Sequence, residues 1–402
     1  MAQKLFDMLC ERGFVKDTTH PEQIKSILNG TDKITFYLGI DPTADSLHIG
    51  HFFALRMFGH LQNAGHKGIL LIGGATAMVG DPTGKTDMRK MLEKEQVARN
   101  IQEVKTLARR FIKPDTEIVD NADWINKFTY VDFMRMVCTH FNVNTMLASD
   151  AYKQRRENGG LTFLEMGYMP MQAYDFVHLN ETSGCRLQIG GSDQWGNIVA
   201  GTELYRKMNI GKAAPDIFGL TVPLLMTADG KKMGKTEKGT LWVARDKTTA
   251  YDFYQYFYNV PDANAAMLLK LFTDMPVSDI DLLAKDDIIA AKKLMAFEIT
   301  KLVHGAAEAT AAAETAGSLF SGGADTDAIK SVQIKMAGAM NAVDFAVAIG
   351  MFPSKGEARR TIEQGGLAID GKKIPDAATI VQPSGEMLVQ KGKKTFLKVI
   401  IG

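Results

Sequence analysis

Short apolar runs alternate with amphipathic stretches through the first two-thirds of the chain. Ile34 to Ile40 reads as a strand and Leu47 to Ala64 as the helix after it. Gly68-Ile69-Leu70-Leu71-Ile72 reads as a buried strand ending in Gly73-Gly74. Arg89 to Ile112 has helical spacing, Thr116 to Val119 is a short strand, and Leu164 to Leu179 is again helical. Arg186 to Ile189 is a strand ending in Gly190-Gly191. Strand–helix alternation with glycines at strand C-termini predicts a doubly wound, Rossmann-like parallel sheet. Ligands of such sheets bind outside the carboxyl ends of the strands. Tyr37 to Ser46, Gly73 to Lys85 and Gly190 to Gln194 fall at those ends.

The pattern changes after Thr236. Thr248 to Tyr258 is aromatic-rich and helical, and Ile288 to Phe320 is helical with a long alanine-rich part of high helix propensity. Ser321-Gly322-Gly323-Ala324-Asp325 reads as a linker, and from about Asn341 a small α+β module follows. The expected division is a Rossmann-like catalytic domain over 1–228, a loop and helical domain over 229–320, a linker over 321–340 and the terminal module over 341–402.

With 402 residues the chain is too long for one small core, so several domains are expected. Its 47 basic and 46 acidic residues give no overall polyanion-binding charge. That balance hides an asymmetry: from Lys335 onward ten Lys/Arg face six Asp/Glu, a net of +4 against −3 for the rest. Cys10, Cys138 and Cys185 are odd in number and widely separated, which suggests neither a zinc site nor a disulfide framework. The N-terminus lacks the apolar core of a secretion signal and carries acids that a transit peptide avoids. No stretch approaches the ~18 apolar residues that span a membrane, so the expected location is the cytoplasm.

Two separated segments suit one anionic substrate: His48-Ile49-Gly50-His51 and Lys232-Met233-Gly234-Lys235-Thr236. The first opens a helix, whose N-terminus offers unpaired N–H groups and partial positive charge to phosphate. The second is a glycine-containing loop flanked by lysines, placed where a mobile flap is expected. Neither lysine loop is a P-loop. The glycine needed upstream of Gly84-Lys85-Thr86 is Val79, and upstream of Gly234-Lys235-Thr236 it is Asp229, so the phosphate nest cannot form. Thr43 and His48 as donors, with Lys85, Arg89, Lys232 and Lys235 as cations, suit a leaving pyrophosphate whose charge grows as its bond breaks.

In order along the chain, Tyr37-x-Gly39-x-Asp41-Pro42-Thr43, the His48–His51 segment, Gly73-Gly74-Ala75-Thr76…Gly80-Asp81-Pro82, Tyr168-x-x-x-Gln172-Ala173-Tyr174-Asp175, Gln188-Ile189-Gly190-Gly191-Ser192-Asp193-Gln194-Trp195 and the Lys232–Thr236 segment occur. The ordered set resembles bacterial-type tyrosyl-tRNA synthetases, of class I. Ser354-Lys355-x-Glu357-Ala358-Arg359-Arg360 and Gly365-Gly366 resemble an S4 RNA-binding domain. The resemblance implies L-tyrosine, ATP and tRNA(Tyr) as substrates, magnesium with the ATP and pyrophosphate but no dedicated protein metal site, and a homodimer, with the apolar Phe128 to Cys138 region as its interface. It implies that Tyr37 and Asp175 bind the phenolic hydroxyl. Asp81, Tyr168 and Gln172 would hold the ammonium, with Gln194 near the carboxylate. Gly39, Asp41, His48, Gly50, His51, Gly191, Asp193, Lys232, Lys235 and Thr236 would bind ATP. Lys355, Arg359, Arg360, Lys372 and Lys373 would meet the tRNA.

The chain departs from the family pattern at Gly234 and Thr236, where serines are usual, and at Ala54, which offers the ribose no hydroxyl. Position 38 is leucine, so only its backbone can serve the nucleotide. Two other readings share parts of this picture: a tryptophanyl-tRNA synthetase, and an RNA-binding protein with an inactive synthetase body. An indole gives the Tyr37–Asp175 pair no hydroxyl, and intact lysines in both loops argue for catalysis.

Overall fold

The computed structural model describes residues 3–83, 91–228, 230, 232–236, 239–321, 331–336, 338–382, 384–392 and 395–402. Five strands form the first sheet: β1 (Thr35–Ile40), β2 (Lys67–Ile72), β3 (Glu117–Asp120), β4 (Cys185–Gly191) and β5 (Phe218–Val222). Their order is β3-β2-β1-β4-β5 and every pairing is parallel. A parallel sheet is covered on both faces, which is why β1 and β2 read as near-continuous apolar runs. Successive strands run outward from β1 to β2 and β3, then return to its other side as β4 and β5. The order reverses between β1 and β4, and a crevice opens there at the carboxyl ends.

The chain divides into two compact units. The first holds residues 1–244 and 266–282. In it the helix Ile49–Asn63 buries Phe52, Phe53, Leu55, Met57, Phe58 and Leu61, and Phe272 stacks on Phe52. Residues 266–282 are held to this unit by Arg12, whose guanidinium donates to the carbonyls of Lys270, Thr273 and Met275 at 3.0, 2.8 and 2.6 Å. The Lys270 carbonyl is an orphan acceptor in the last turn of the helix Ala265–Phe272, and Thr273 and Met275 follow that helix.

The second unit holds residues 245–265 and 283–402. It contains the helices Ala250–Tyr258, Ile288–His304 and Ala306–Ser321. Its C-terminal part has a five-stranded sheet in the order Lys372–Lys373, Leu367–Ile369, Glu386–Lys391, Thr395–Ile401, Ser331–Ile334. The helices Ala342–Ala348 and Lys355–Glu363 accompany it, and Phe345, Ala358, Ile362, Val389 and Val399 form its core.

Several expectations need correction. The single helix expected over 164–179 is two, Phe163–Met166 and Tyr168–Ser183. Thr162 and Glu165 form a capping box that starts the first. Pro170 lies in the first turn of the second, where its missing N–H leaves no bond unmade. The helix expected over 288–320 breaks at Gly305, at φ +93°. Within 89–112 the described helix is only Lys94–Ala108. The expected linker over 321–340 is too long, because Ser331–Ile334 pairs in parallel with the last strand as an edge of the sheet. The strand β5 and the helices Val143–Ala148 and Asp150–Glu157 were not expected at all.

The three-carbonyl clamp gives a test of the first unit. Arg12→Ala is expected to lower its stability by about 2 kcal/mol, the scale of lost hydrogen bonds to a charged donor. The shift would be read from urea unfolding monitored by intrinsic fluorescence. Arg12→Lys should recover little, since one ammonium cannot span three divergent carbonyls.

Candidate active site

The helix after β1 starts with a cap made of histidines. His48 Nδ1 accepts the backbone N–H of His51 at 3.2 Å, and His51 Nδ1 accepts that of His48 at 3.4 Å. The two rings stack with centroids 3.6 Å apart. A ring accepting at Nδ1 carries its hydrogen on Nε2, so both offer an N–H donor from the other edge. A Cβ at Gly50 would stand 3.0 Å from His48 Cε1, which accounts for glycine between them. Gly39 is exposed although it lies in the central strand, leaving its backbone open to a ligand. Thr43 closes a tight turn through its N–H to the Asp41 carbonyl, 2.8 Å away.

The second segment is fastened to the first. Val243 N–H donates to Leu47 O at 2.8 Å, Ile49 N–H to Leu241 O at 3.3 Å, and Leu241 N–H to Gly234 O at 2.7 Å. Gly234 has φ +86°, and a Cβ there would come 2.6 Å from Ile49 Cγ2. Met233 is buried beside it. Lys232 Nζ lies 3.3 Å from Asp193 Oδ2, while Gly191 stays close because a Cβ would meet Asp193 Oδ1 at 2.6 Å. The Lys235–Thr236 backbone pairs with Gly239–Thr240 as a short hairpin. Lys85 and Arg89 lie outside the described residues, as do the side chains of Lys235 and Thr236.

A second cluster of buried polar groups is assembled from the carboxyl ends of the strands and one face of the helix Tyr168–Ser183. Asp175, 2 % exposed, accepts from Trp124 Nε1 at 2.8 Å and from Asn121 Nδ2 at 3.0 Å. Burial pushes its carboxyl up to about 8; the two hydrogen bonds pull against this, and the charges of Asp41 and Asp120 add to it. The Tyr37 hydroxyl is buried with no hydrogen-bond partner among the described residues. Burial, and then the charge of Asp175, raise it well above the usual phenol range. The Tyr37 ring packs edge-on against Phe176, centroids 5.3 Å apart.

Farther along the same helix, Tyr168 donates its hydroxyl to Asp41 Oδ2 at 2.9 Å. Gln172 Oε1 is buried without a partner among the described residues. Asp81 accepts from Thr83 N–H at 2.9 Å and from Gln194 Nε2 at 2.6 Å. Tyr37 and Asp175 thus form one cluster, and Asp81 with Gln194 and Tyr168 with Asp41 form close pairs. Asn121 and Trp124 were not singled out from the sequence, and Thr76 and Gln188, though part of the quoted motifs, were given no role. Asn121 had a usable signal, since it follows β3 as Asp41 follows β1. Gln188 is the register partner of Tyr37, and its Oε1 is buried without a partner among the described residues.

The cations expected to meet tRNA lie in the second unit. Arg359, Arg360, Lys372 and Lys373 are exposed, as is Lys355, which pairs with Asp344 at 2.7 Å.

The family model "tRNA synthetases class I (W and Y)" matches residues 29–321, and "Tyrosine--tRNA ligase SYY-like C-terminal domain" matches 324–399. A tyrosine–tRNA ligase of Clostridium kluyveri is 46% identical, over 99% of this chain and 99% of that protein. One from Clostridium botulinum is 47% identical, with the same 99% coverage of both. A C-terminally truncated mitochondrial tyrosyl-tRNA synthetase from Aspergillus nidulans superposes with TM-score 0.69 at 27% identity, over 79% of this chain and 95% of that one. Family models over both units and near-half identity along the whole length agree with the tyrosine-type order of motifs, and the chain belongs to the tyrosyl-tRNA synthetase family of class I.

Proposed function

We propose that the chain joins L-tyrosine to ATP, giving tyrosyl-AMP and pyrophosphate, and then transfers the tyrosyl group to the 3′ end of tRNA(Tyr). The observation that carries the choice of amino acid is the unpartnered Tyr37 hydroxyl, buried beside Asp175. A phenol entering there donates to the Asp175 carboxylate and accepts from Tyr37. An indole or a plain benzene ring leaves both groups unsatisfied in a buried site, which is costly.

In this reading Asp81, Tyr168 and Gln172 receive the ammonium, and Gln194 lies toward the carboxylate. Gly191 and Asp193, with His51, take the ribose. The backbone of Gly39 and Asp41, with Gly50 at the helix start, faces the α-phosphate. The tyrosine carboxylate is ionised at neutral pH and attacks the α-phosphorus directly. A new O–P bond forms and the bond to pyrophosphate breaks, so no general base is needed. Thr43, His48, Lys85, Arg89, Lys232 and Lys235 then stabilise charge growing on the leaving pyrophosphate. Thr236 completes the loop around it. Magnesium, carried by the triphosphate oxygens, neutralises part of that charge when bound. In the second step a terminal ribose hydroxyl of the tRNA attacks the tyrosyl carbonyl and AMP leaves. Arg359, Arg360, Lys372 and Lys373, with Lys355, supply a cationic RNA contact.

A homodimer through the Phe128 to Cys138 region is part of the proposal. The helix Tyr130–Met136 buries none of its residues, and Tyr130, Val131 and Met136 are 68%, 60% and 49% exposed. An apolar surface of that kind is usually covered by a partner.

ATP–pyrophosphate exchange tests the central claim. It should depend on tyrosine and not on tryptophan; exchange driven by tryptophan, or none, would reject the reading. Tyr37→Phe should narrow the preference for tyrosine over phenylalanine by roughly tenfold, the scale of one lost hydrogen bond to a substrate hydroxyl. The buried carboxyl also gives a pH signature. Its folded pKa of about 8 lies above the ordinary 3.8, so folding takes up a proton between those values. Stability from this group is complete below about 4 and is lost as pH rises toward 8, at up to about 1.4 kcal/mol per pH unit. Asp175→Asn should flatten that slope in pH-resolved urea unfolding without tyrosine. For the dimer, Val131→Asp with Met136→Asp should halve the mass seen in sedimentation and depress charging.

A further inference from the structure

The Thr76 hydroxyl, 2 % exposed, stands between the two ends of the amino-acid pocket. It donates to Asp41 Oδ1 at 2.8 Å and accepts from Asn121 Nδ2 at 3.1 Å. On one side Asp41 Oδ2 receives the Tyr168 hydroxyl at 2.9 Å. On the other, Asn121 Nδ2 also reaches Asp175 Oδ2 at 3.0 Å. Five side chains therefore run without a break from the proposed ammonium end to the proposed hydroxyl end.

The donors at the Thr76 junction are determined. Asn121 Oδ1 accepts the Ala75 N–H at 2.8 Å, which fixes the orientation of its amide. Its nitrogen must then be the donor to both Thr76 and Asp175. Thr76 has one hydrogen, and since it accepts from Asn121 that hydrogen goes to Asp41. Tyr168 spends its own single hydrogen on the other oxygen of Asp41. Toward a ligand Tyr168 can act only as an acceptor, the polarity that an ammonium requires. Gly73 is the second sign that this junction is built. A Cβ there would occupy the space of Asp41 Oδ1 and Thr76 Oγ1, so only glycine lets the bond form against the backbone.

We propose that Thr76 is a positioning residue that couples recognition of the substrate's ammonium group to recognition of its hydroxyl. It touches neither group. Without its hydroxyl, Asp41 loses a donor and Asn121 a buried acceptor, so Tyr168 and Asp175 lose the connection that orients them. This inference rests on the tyrosine reading above.

Thr76→Val removes the hydroxyl at nearly constant volume, and Thr76→Ser keeps it. In exchange kinetics, Thr76→Val should lower kcat/KM for tyrosine roughly 10- to 100-fold and the tyrosine-over-phenylalanine ratio about tenfold, with KM for ATP within about twofold. Thr76→Ser should stay within about threefold of the parent. An unchanged ratio, or equal losses for tyrosine and ATP, would overturn the coupling. A second measurement needs no variant: dissociation constants of tyrosine, phenylalanine, 3-(4-hydroxyphenyl)propanoate and 3-phenylpropanoate on the parent protein. The hydroxyl should improve binding at least about fivefold more when the ammonium is present. Independent contributions from the two groups would also overturn it. Tyrosine-independent behaviour of the parent in exchange would instead remove the substrate reading, a separate and recognisable failure.

Discussion

A carboxyl group kept almost entirely from water needs hydrogen-bond partners, and the need of Asp175 for them organises the polar cluster at the strand ends. Trp124 and Asn121 supply two from the segment after β3. Asn121 in turn ties Asp175 to Thr76 after β2, to Asp41 after β1 and back to the helix that carries Asp175 itself. Three strand ends and one helix are thereby held in register by polar contacts at the place where the sheet's hydrophobic packing stops. Deep burial would ordinarily make such a network a burden. Here the Tyr37 hydroxyl and Gln172 Oε1 are buried without a partner among the described residues, so the region keeps unused polar capacity.

Around the histidine cap the organisation is different. The histidine cap is rigid, made of reciprocal bonds between the first and fourth residues of one helical turn. The lysine segment reaches the same place through a backbone relay over Leu241 to Val243. Lys232 is paired with Asp193 at 3.3 Å. Both groups are partly exposed, so the pair is weak.

Much of this could be read from the chain. The parallel sheet followed from apolar runs ending in glycine; Tyr37 lies within the expected first strand, Asp175 within an expected helix, and His48 at a helix start. What escaped the sequence was of two kinds. The breaks at Gly167 and Gly305 interrupt stretches whose apolar spacing continues through them, so periodicity alone could not see them. Thr76, Asn121 and Trp124 act through partners far along the chain, 35 to 54 positions away. Such bonds leave no local pattern. The edge strand Ser331–Ile334 was hidden similarly, since its pairing partner lies at the far C-terminus.

The tight fit of Gly234 against Ile49 bears on how this family can drift. A serine at 234 would need both a left-handed backbone and space that the β-branched Ile49 side chain fills. Neither signature is therefore free to change alone in this chain. Ile49 and Gly234 form a compensating pair across almost half the sequence, and a loop transplanted from a serine-bearing relative would carry a steric debt unless the helix start came with it.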